Sequence, residues 1–260
     1  MTFMHSSSVT RRAGQASLAA ALVTAAMFAT ATSASAEQTP YKTPGTYTFT
    51  VPTNVTSVTF QLVGSGGGGG GGGAAVTAFT NKGGGGGGGG GGGSLVECTL
   101  ATTPGETYTL SVPSGGAGGK SDNGFLPSQN GDAGSPATVT STTNPGTPLI
   151  RAAGGDRGLR GTRGIDFESG AGGTGGTGGQ ANQNICNGVS PAGTNGANGT
   201  NGQDGVTKGH AERGKGGTGI WTVPACVAPG RGGNGGYGDY QAPAGWDGEN
   251  GGDGCIAVTY

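Results

Sequence analysis

The chain has 260 residues, of which 65 are glycine and 13 proline, a proportion that ordinarily belongs to low-complexity or disordered chains. Its formal net charge of −1 gives no overall field that would attract nucleic acid or an acidic membrane, so only a local basic patch could have that role. Against disorder stand alternating strand patterns towards both ends, four cysteines and a strict three-residue glycine phase between Gly154 and Gly254.

Residues 1–36 read as a secretory signal peptide. Arg11 and Arg12 supply the positive start, Leu18 to about Ala29 the apolar run, and Ala34-Ser35-Ala36 a small-residue cleavage site. That run is short for a membrane span. Cleavage after Ala36 predicts a secreted protein of residues 37–260, with the paired arginines leaving twin-arginine export open beside the general route. In an oxidising compartment Cys98, Cys186, Cys226 and Cys255 point to two disulfides, and no CxxC spacing favours a metal. Three pairings are possible. Cys186–Cys226 would staple two glycine-rich loops and Cys98–Cys255 would tie two strands. Side-chain parity opposes the second pair, because Cys98 shares a face with Val96 and Leu100 while Cys255 opposes Ile256 and Val258.

From Tyr41 the hydrophobic period is two. Tyr47, Phe49 and Val51 alternate with threonines, Pro52-Thr53-Asn54 turns the chain, and Val58, Phe60 and Leu62 continue on a second strand. Residues 74–80, 94–100, 107–112, 137–141, 149–153 and 255–260 complete the expected strands. Strands at both extremes predict an all-β, jelly-roll-like sandwich with the glycine-rich stretch inserted into a single domain of residues 37–260. Within that stretch glycine recurs every third residue, as at Gly155, Gly158, Gly161 and Gly164, or Gly193, Gly196, Gly199, Gly202 and Gly205. Three residues per turn fits the extended left-handed helix with a rise of about 3.1 Å; collagen would need proline between the glycines. The expectation is a polyglycine II bundle over about 154–254. The homopolymer tracts 66–73 and 83–93 are expected to pack into it as ordered helices rather than act as linkers.

The order of motifs adds a resemblance. Gly45-Thr-Tyr-Thr-Phe-Thr-Val-Pro52 with Val55-Thr-Ser-Val-Thr-Phe-Gln-Leu-Val-Gly-Ser-Gly66 resembles the opening of the glycine-rich domain family. Thr103-Pro-Gly-Glu-Thr-Tyr-Thr-Leu-Ser-Val112, Pro148-Leu-Ile-Arg-Ala-Ala-Gly-Gly155 and Gly254-Cys-Ile-Ala-Val-Thr-Tyr260 continue the likeness. The family is met in tail-fibre-like adhesins of phage and bacteria and in secreted bacterial proteins, and similar domains occur in some animal receptor kinases. The resemblance implies a β-sandwich fused to a polyglycine II bundle, and binding rather than catalysis. The signal peptide and cysteines depart from a phage tail protein and suit an exported bacterial one.

Candidate chemistry is sparse. His210 is the single histidine after residue 36, which leaves a zinc hydrolase or a Ser-His-Asp triad without parts. Asp156, Asp166, Glu168, Asp204, Asp239, Asp247, Glu249 and Asp253 are scattered through glycine-rich segments rather than paired. Gly238-Asp239 sits one place out of phase for a calcium repeat. No catalytic residue, metal or cofactor is expected. A three-residue turn would align Arg157, Arg160 and Arg163 along one edge at about 9 Å spacing, suiting an anionic wall polysaccharide, or simply forming a solvated edge. Asn195, Asn198 and Asn201 form another ladder. Thr194, Ala197 and Thr200 make a third, similar to the rows of the snow-flea type of antifreeze protein, so ice binding is the alternative. Trp221, Tyr237, Tyr240 and Trp246 offer a platform for sugar rings, or a small core. The function expected is non-catalytic binding or structure outside a bacterial cell, by adhesion to an extracellular polysaccharide or cell-surface glycan. No nucleic acid and no membrane span is expected.

Overall fold

A computed structural model describes residues 37–260 apart from 76–81, 166–167, 192, 208, 221–225 and 241–243. The expected signal peptide and most of the strand expected at 74–80 therefore lie outside the described residues. The strands are β1 (Gln38–Tyr41), β2 (Gly45–Thr50), β3 (Ser57–Val63), β4 (Leu95–Ala101), β5 (Thr107–Val112), β6 (Ala137–Ser141), β7 (Ile150–Ala152), β8 (Ile185–Cys186), β9 (Gly193–Thr194) and β10 (Cys255–Thr259). They form two antiparallel sheets, ordered β1-β10-β3-β4-β9 and β2-β5-β6-β7-β8. The period-two pattern explains the layering. Val58, Phe60 and Leu62 of β3 and Tyr108, Leu110 and Val112 of β5 are buried between the sheets, while Thr59 and Thr99 meet outside across the β3–β4 pair. Phe60 reaches Tyr108 of the other sheet edge-on at 5.6 Å between ring centres. Each such fully buried side chain contributes about 1.5–3 kcal/mol. The first and last strands are next to each other, because β10 lies between β1 and β3.

The disulfides are Cys98–Cys186, joining β4 to β8 and so one sheet to the other, and Cys226–Cys255, tying a loop to the start of β10. This corrects the expected pairs Cys186–Cys226 and Cys98–Cys255. Cys98 faces the core between the sheets, whereas Cys255 lies on the opposite face of its sheet, packed with Val63, Ala257 and Cys226. Strand β3 also separates their two strands. Parity was the better guide.

At one end of the sandwich the strands run on into helices of three residues per turn. Among the described residues these are g1 (66–73), g2 (83–93), g3 (115–122), g4 (128–135), g5 (154–164), g6 (170–179), g7 (195–206), g8 (211–219), g9 (230–239) and g10 (245–254). Their turn is read from the hydrogen bonds. The N–H groups of Gly67, Gly68 and Gly69 donate to Gly91, Asp132 and Glu249 on three different helices. Gly70, Gly71 and Gly72 then repeat the same three partners with Gly88, Gln129 and Trp246. Carbonyls of g1 accept in the same rotation from g3, g9 and g5. Helix g1 thus has six bonded neighbours, and so does g2, which donates to g7, g9 and g5 and accepts from g6, g1 and g8. Six neighbours around each of two adjacent helices is a hexagonal array. The layers are g4-g5-g6, then g3-g1-g2-g7, then g10-g9-g8.

This arrangement explains the composition helix by helix. The two homopolymer tracts are the two inner helices, where all three edges face a neighbour and a Cβ at any position would fall closer than 3.4 Å to backbone atoms. Outer helices have free edges, so one or two residues in three carry a side chain. An inner glycine gains two buried hydrogen bonds, each worth about 0.5–1.5 kcal/mol net, against about 1–2 kcal/mol of backbone entropy. Those terms nearly cancel. The surplus has to come from the sandwich, whose strands enter the array directly and fix the ends of its helices. Asn184, fully buried at that junction, accepts from Ser94 Oγ at 2.7 Å and Ala153 N–H at 3.0 Å and donates to the Leu95 carbonyl. Helices g3 and g4 fall outside the stretch that the glycine period marks.

Candidate functional site

Several backbone N–H groups that point into the clefts between outer helices are met by side-chain oxygens. Asn195, Asn198, Asn201 and Asp204 of g7 accept from the N–H groups of Ala181, Gly178, Gly175 and Gly172 at 2.7–2.9 Å. Asp253, Asn250 and Asp247 of g10 do the same for Gly115, Gly118 and Ser121 of g3. The asparagine ladder is therefore a row of internal braces. So, in part, is the row proposed for ice. Thr200 Oγ1 accepts from Lys215 N–H at 2.8 Å, Thr194 belongs to β9 paired with Leu95, and the Ala197 carbonyl accepts from Gly92.

The arginine ladder is also largely committed. Arg163 makes a two-pronged contact with the fully buried Asp122, Nε to Oδ2 at 2.5 Å and Nη2 to Oδ1 at 2.9 Å. Hydrogen bonding to that carboxylate outweighs partial burial and raises the already high pKa of the guanidinium. Arg160 donates from Nη1 to the Ser128 carbonyl at 3.1 Å. Only Arg157, of the three, has no side-chain partner among the described residues. Three arginines in register are not three free cations.

The opposite flat face, g10-g9-g8, gathers aromatic rings. Tyr237 and Trp246 sit edge-on at 6.1 Å, at one level because Trp246 N–H donates to the Tyr237 carbonyl. His210 joins them at 6.5 and 6.3 Å, and the Arg213 guanidinium lies 4.9 Å from the centre of the Tyr237 ring. Glu249 bonds Arg213 at 2.6 Å and Asn234 Nδ2 at 2.8 Å, and lies 3.8 Å from Arg231. Trp246 is 57% exposed, so this is a surface platform and not a buried core. Tyr240 is half-buried one turn beyond Tyr237, and Trp221 lies outside the described residues. His210, Arg213 and Glu249 were not anticipated as members. Arg231, Asn234, Tyr237 and Tyr240, each three residues apart, were the available signal that one edge of g9 carries side chains throughout. Among the described residues no three His, Cys, Asp or Glu side chains are grouped as for a metal.

At the border of this face Asp247 accepts from Ser121 N–H at 2.7 Å and pairs with Lys120 at 3.0 Å. Burial pushes its pKa up, but the Ser121 and Lys120 contacts outweigh that and hold it below the usual carboxylate range. A depressed folded-state pKa contributes stability above the unfolded value of about 3.9, and the contribution is lost as pH falls through the folded value. Asp247→Asn keeps an oxygen for Ser121 but removes the charge. The expected result in thermal melts is a small loss at pH 7 that fades as pH falls below the ordinary carboxylate value of about 3.9; a gap independent of pH would refute the assignment.

Fold and faces together define a two-sheet β-sandwich that carries a rigid hexagonal array of polyglycine II helices. The model of the glycine-rich domain family matches residues 42–260, and the chain belongs to that family. No curated protein matches the sequence. Two disulfides suggest an oxidising environment, and among the described residues no helix is long and apolar enough to cross a membrane.

Proposed function

We propose that this is a non-catalytic binding protein that works outside a bacterial cell and holds an extracellular polysaccharide or cell-surface glycan on the g10-g9-g8 face. The observation that carries the reading is Trp246, 57% exposed beside Tyr237 on a face whose helices are hydrogen-bonded to one another and to the inner helices beneath them. An exposed ring on a stiff support costs little entropy to use, and its apolar face stacks on the apolar face of a sugar ring. Arg213, Arg231 and Glu249 supply fixed donors and acceptors for hydroxyl or acidic groups one turn away. Arg213 and Arg231 share the Glu249 carboxylate and His210 lies 3.7 Å from Asp239, so groups of both charge signs border the rings. The leader-like residues 1–36 and the two disulfides support export. A tail-fibre-like adhesive role is the family resemblance that agrees with this reading.

The test is a glycan array probed with oxidised residues 37–260 at two salt concentrations. Selective binding is expected, weakened at least about tenfold by Trp246→Ala, in the range of a contact hot spot. Absence of binding, or binding indifferent to that substitution, would count against the face. Ice binding gains no support from the Thr194, Ala197 and Thr200 row, because Thr200 already braces g8. Thermal hysteresis in the purified protein would reinstate it.

A further inference from the structure

Eight asparagines of the chain stand directly before a glycine: Asn123, Asn130, Asn187, Asn195, Asn198, Asn201, Asn234 and Asn250. That pair carries its own chemistry. The backbone nitrogen of the second residue gives up its proton to solvent and attacks Cγ of the asparagine. The side-chain nitrogen takes up a proton and leaves as ammonia, and water then opens the five-membered imide to aspartate or isoaspartate. Glycine, with no Cβ, crowds the attack least. Two conditions have to be met: the glycine N–H must be free to lose its proton, and the asparagine side chain must be free to swing onto it.

The array denies both at six of the eight positions. Asn130, Asn195, Asn198, Asn201, Asn234 and Asn250 each hold a neighbouring backbone N–H on Oδ1 at 2.7–2.9 Å. The N–H of the glycine after each donates to a carbonyl of an adjacent helix at 2.8–3.1 Å. Asp204, Asp247 and Asp253, which precede glycine and form the same imide by losing water, are braces held in the same way. Asn123 lies in a loop but is also pinned: Oδ1 accepts from Phe125 N–H at 3.0 Å and Leu126 N–H at 2.7 Å, and Gly124 N–H donates to Asp122 Oδ1 at 2.8 Å.

Asn187 differs from all of them. It is exposed, and with Gly188 it forms a two-residue turn with φ of +50° and +80° that joins Cys186 to Val189. Neither its side chain nor the Gly188 N–H has a hydrogen-bond partner among the described residues. For the nitrogen to reach Cγ, Asn187 has to leave the left-handed region. That opening breaks the two Cys186–Val189 bonds and the bond from Asn187 N–H to the Leu149 carbonyl, whereas freeing a brace means parting packed helices. We infer that Asn187 is a self-modification site, where the folded protein converts asparagine to aspartyl and isoaspartyl residues with water as the only co-reactant, while the other seven stay intact. The product adds a negative charge to a chain of formal net charge −1. The isoaspartyl form also lengthens the backbone inside a two-residue turn, so Cys186 and Val189 lose their register.

The experiment incubates oxidised residues 37–260 in mildly alkaline buffer and follows each Asn–Gly pair over time by peptide mapping and mass spectrometry. A carboxyl methyltransferase specific for isoaspartyl residues tells the two products apart. The initial rate at Asn187 is expected to exceed that at every other pair by at least about tenfold, the ratio set by the difference in local opening free energy. In a reduced sample held unfolded by denaturant the eight rates should draw together, because the protection belongs to the fold. A rate at Asn187 no higher than at Asn198 would overturn the inference. So would earlier conversion at any brace, or the same ranking in the unfolded chain.

Discussion

Gly88→Ala is expected to lower the melting temperature by about 10–20 °C. Gly88 lies midway along an inner helix, donates to the Leu159 carbonyl at 2.8 Å and accepts from Gly70 at 2.9 Å. An added Cβ would approach the carbonyl carbon and oxygen of Thr174 and the carbonyl oxygen of Gly173, all closer than 3.0 Å. All three are backbone atoms of a helix bonded to its own neighbours, so no side chain can swing aside. Overpacking costs about 1–3 kcal/mol, and forcing g6 away exposes buried donors and acceptors at about 1–3 kcal/mol each. A total on the order of 5 kcal/mol corresponds to about 10–20 °C for a domain of this size. Two companions separate packing from glycine's unfolded-state entropy. Gly146→Ala meets nothing within 4 Å and lies outside the left-handed region, so it should be neutral within about 0.5 kcal/mol. Gly105→Ala also meets open space but at φ +83°, so it should cost about 1–2 kcal/mol of backbone strain. A Gly88→Ala variant that melts with the Gly146→Ala protein would disprove the close-packed array.

Removing Cys98–Cys186 is the second large effect. The bond closes a separation of 88 residues and ties the two sheets across their core, whereas Cys226–Cys255 closes 29. Loop-closure entropy gives about 4–5 kcal/mol for the first and about 3–4 kcal/mol for the second. The paired substitution Cys98→Ala/Cys186→Ala should therefore lower the melting temperature by about 10–15 °C, more than Cys226→Ala/Cys255→Ala does. Paired substitutions avoid a stray thiol. The reverse ranking in calorimetry would mean that strain or residual unfolded structure dominates over chain entropy.

Much of the architecture could be read before folding. The alternation of Phe60 and Leu62 with Thr59 and Gln61 marks a strand with one buried face, and such a local rule survives because the sheet enforces it. The triplet phase of Gly193 to Gly205 likewise survives, since one edge in three of g7 is buried. Helices g3 and g4 were not legible because each is short: the spacing of Gly116 and Gly119, or of Gly131 and Gly134, repeats too few times to stand out in a glycine-rich chain. The disulfides misled for a different reason. Parity showed that Cys98 and Cys255 point to opposite faces, yet nothing local showed that β8 passes Cys186 in front of Cys98.

The candidate sites divide in the same way. Period-three spacing put Arg157, Arg160 and Arg163 on one edge, which the folded chain retains, but availability depends on what lies across the cleft. Asp122 and Ser128 arrive there from g3 and g4, and only Arg157 is left over. Tyr237 and Trp246 were visible as aromatics in a glycine-rich stretch, while their pairing with His210 and Arg213 requires three helices to lie side by side.

The one-dimensional order of residues is enough for strand positions, helix period and the presence of glycine wherever a neighbour presses close, because each is set by which edge of a single segment is covered. Which segments are neighbours is a property of the array. It rests on hydrogen bonds between residues as distant as Gly66 and Gly252, and all-glycine helices carry no side-chain label to distinguish one partner from another. The fold resolves that ambiguity by anchoring each helix to a strand whose place in the sandwich is specified by its own buried side chains.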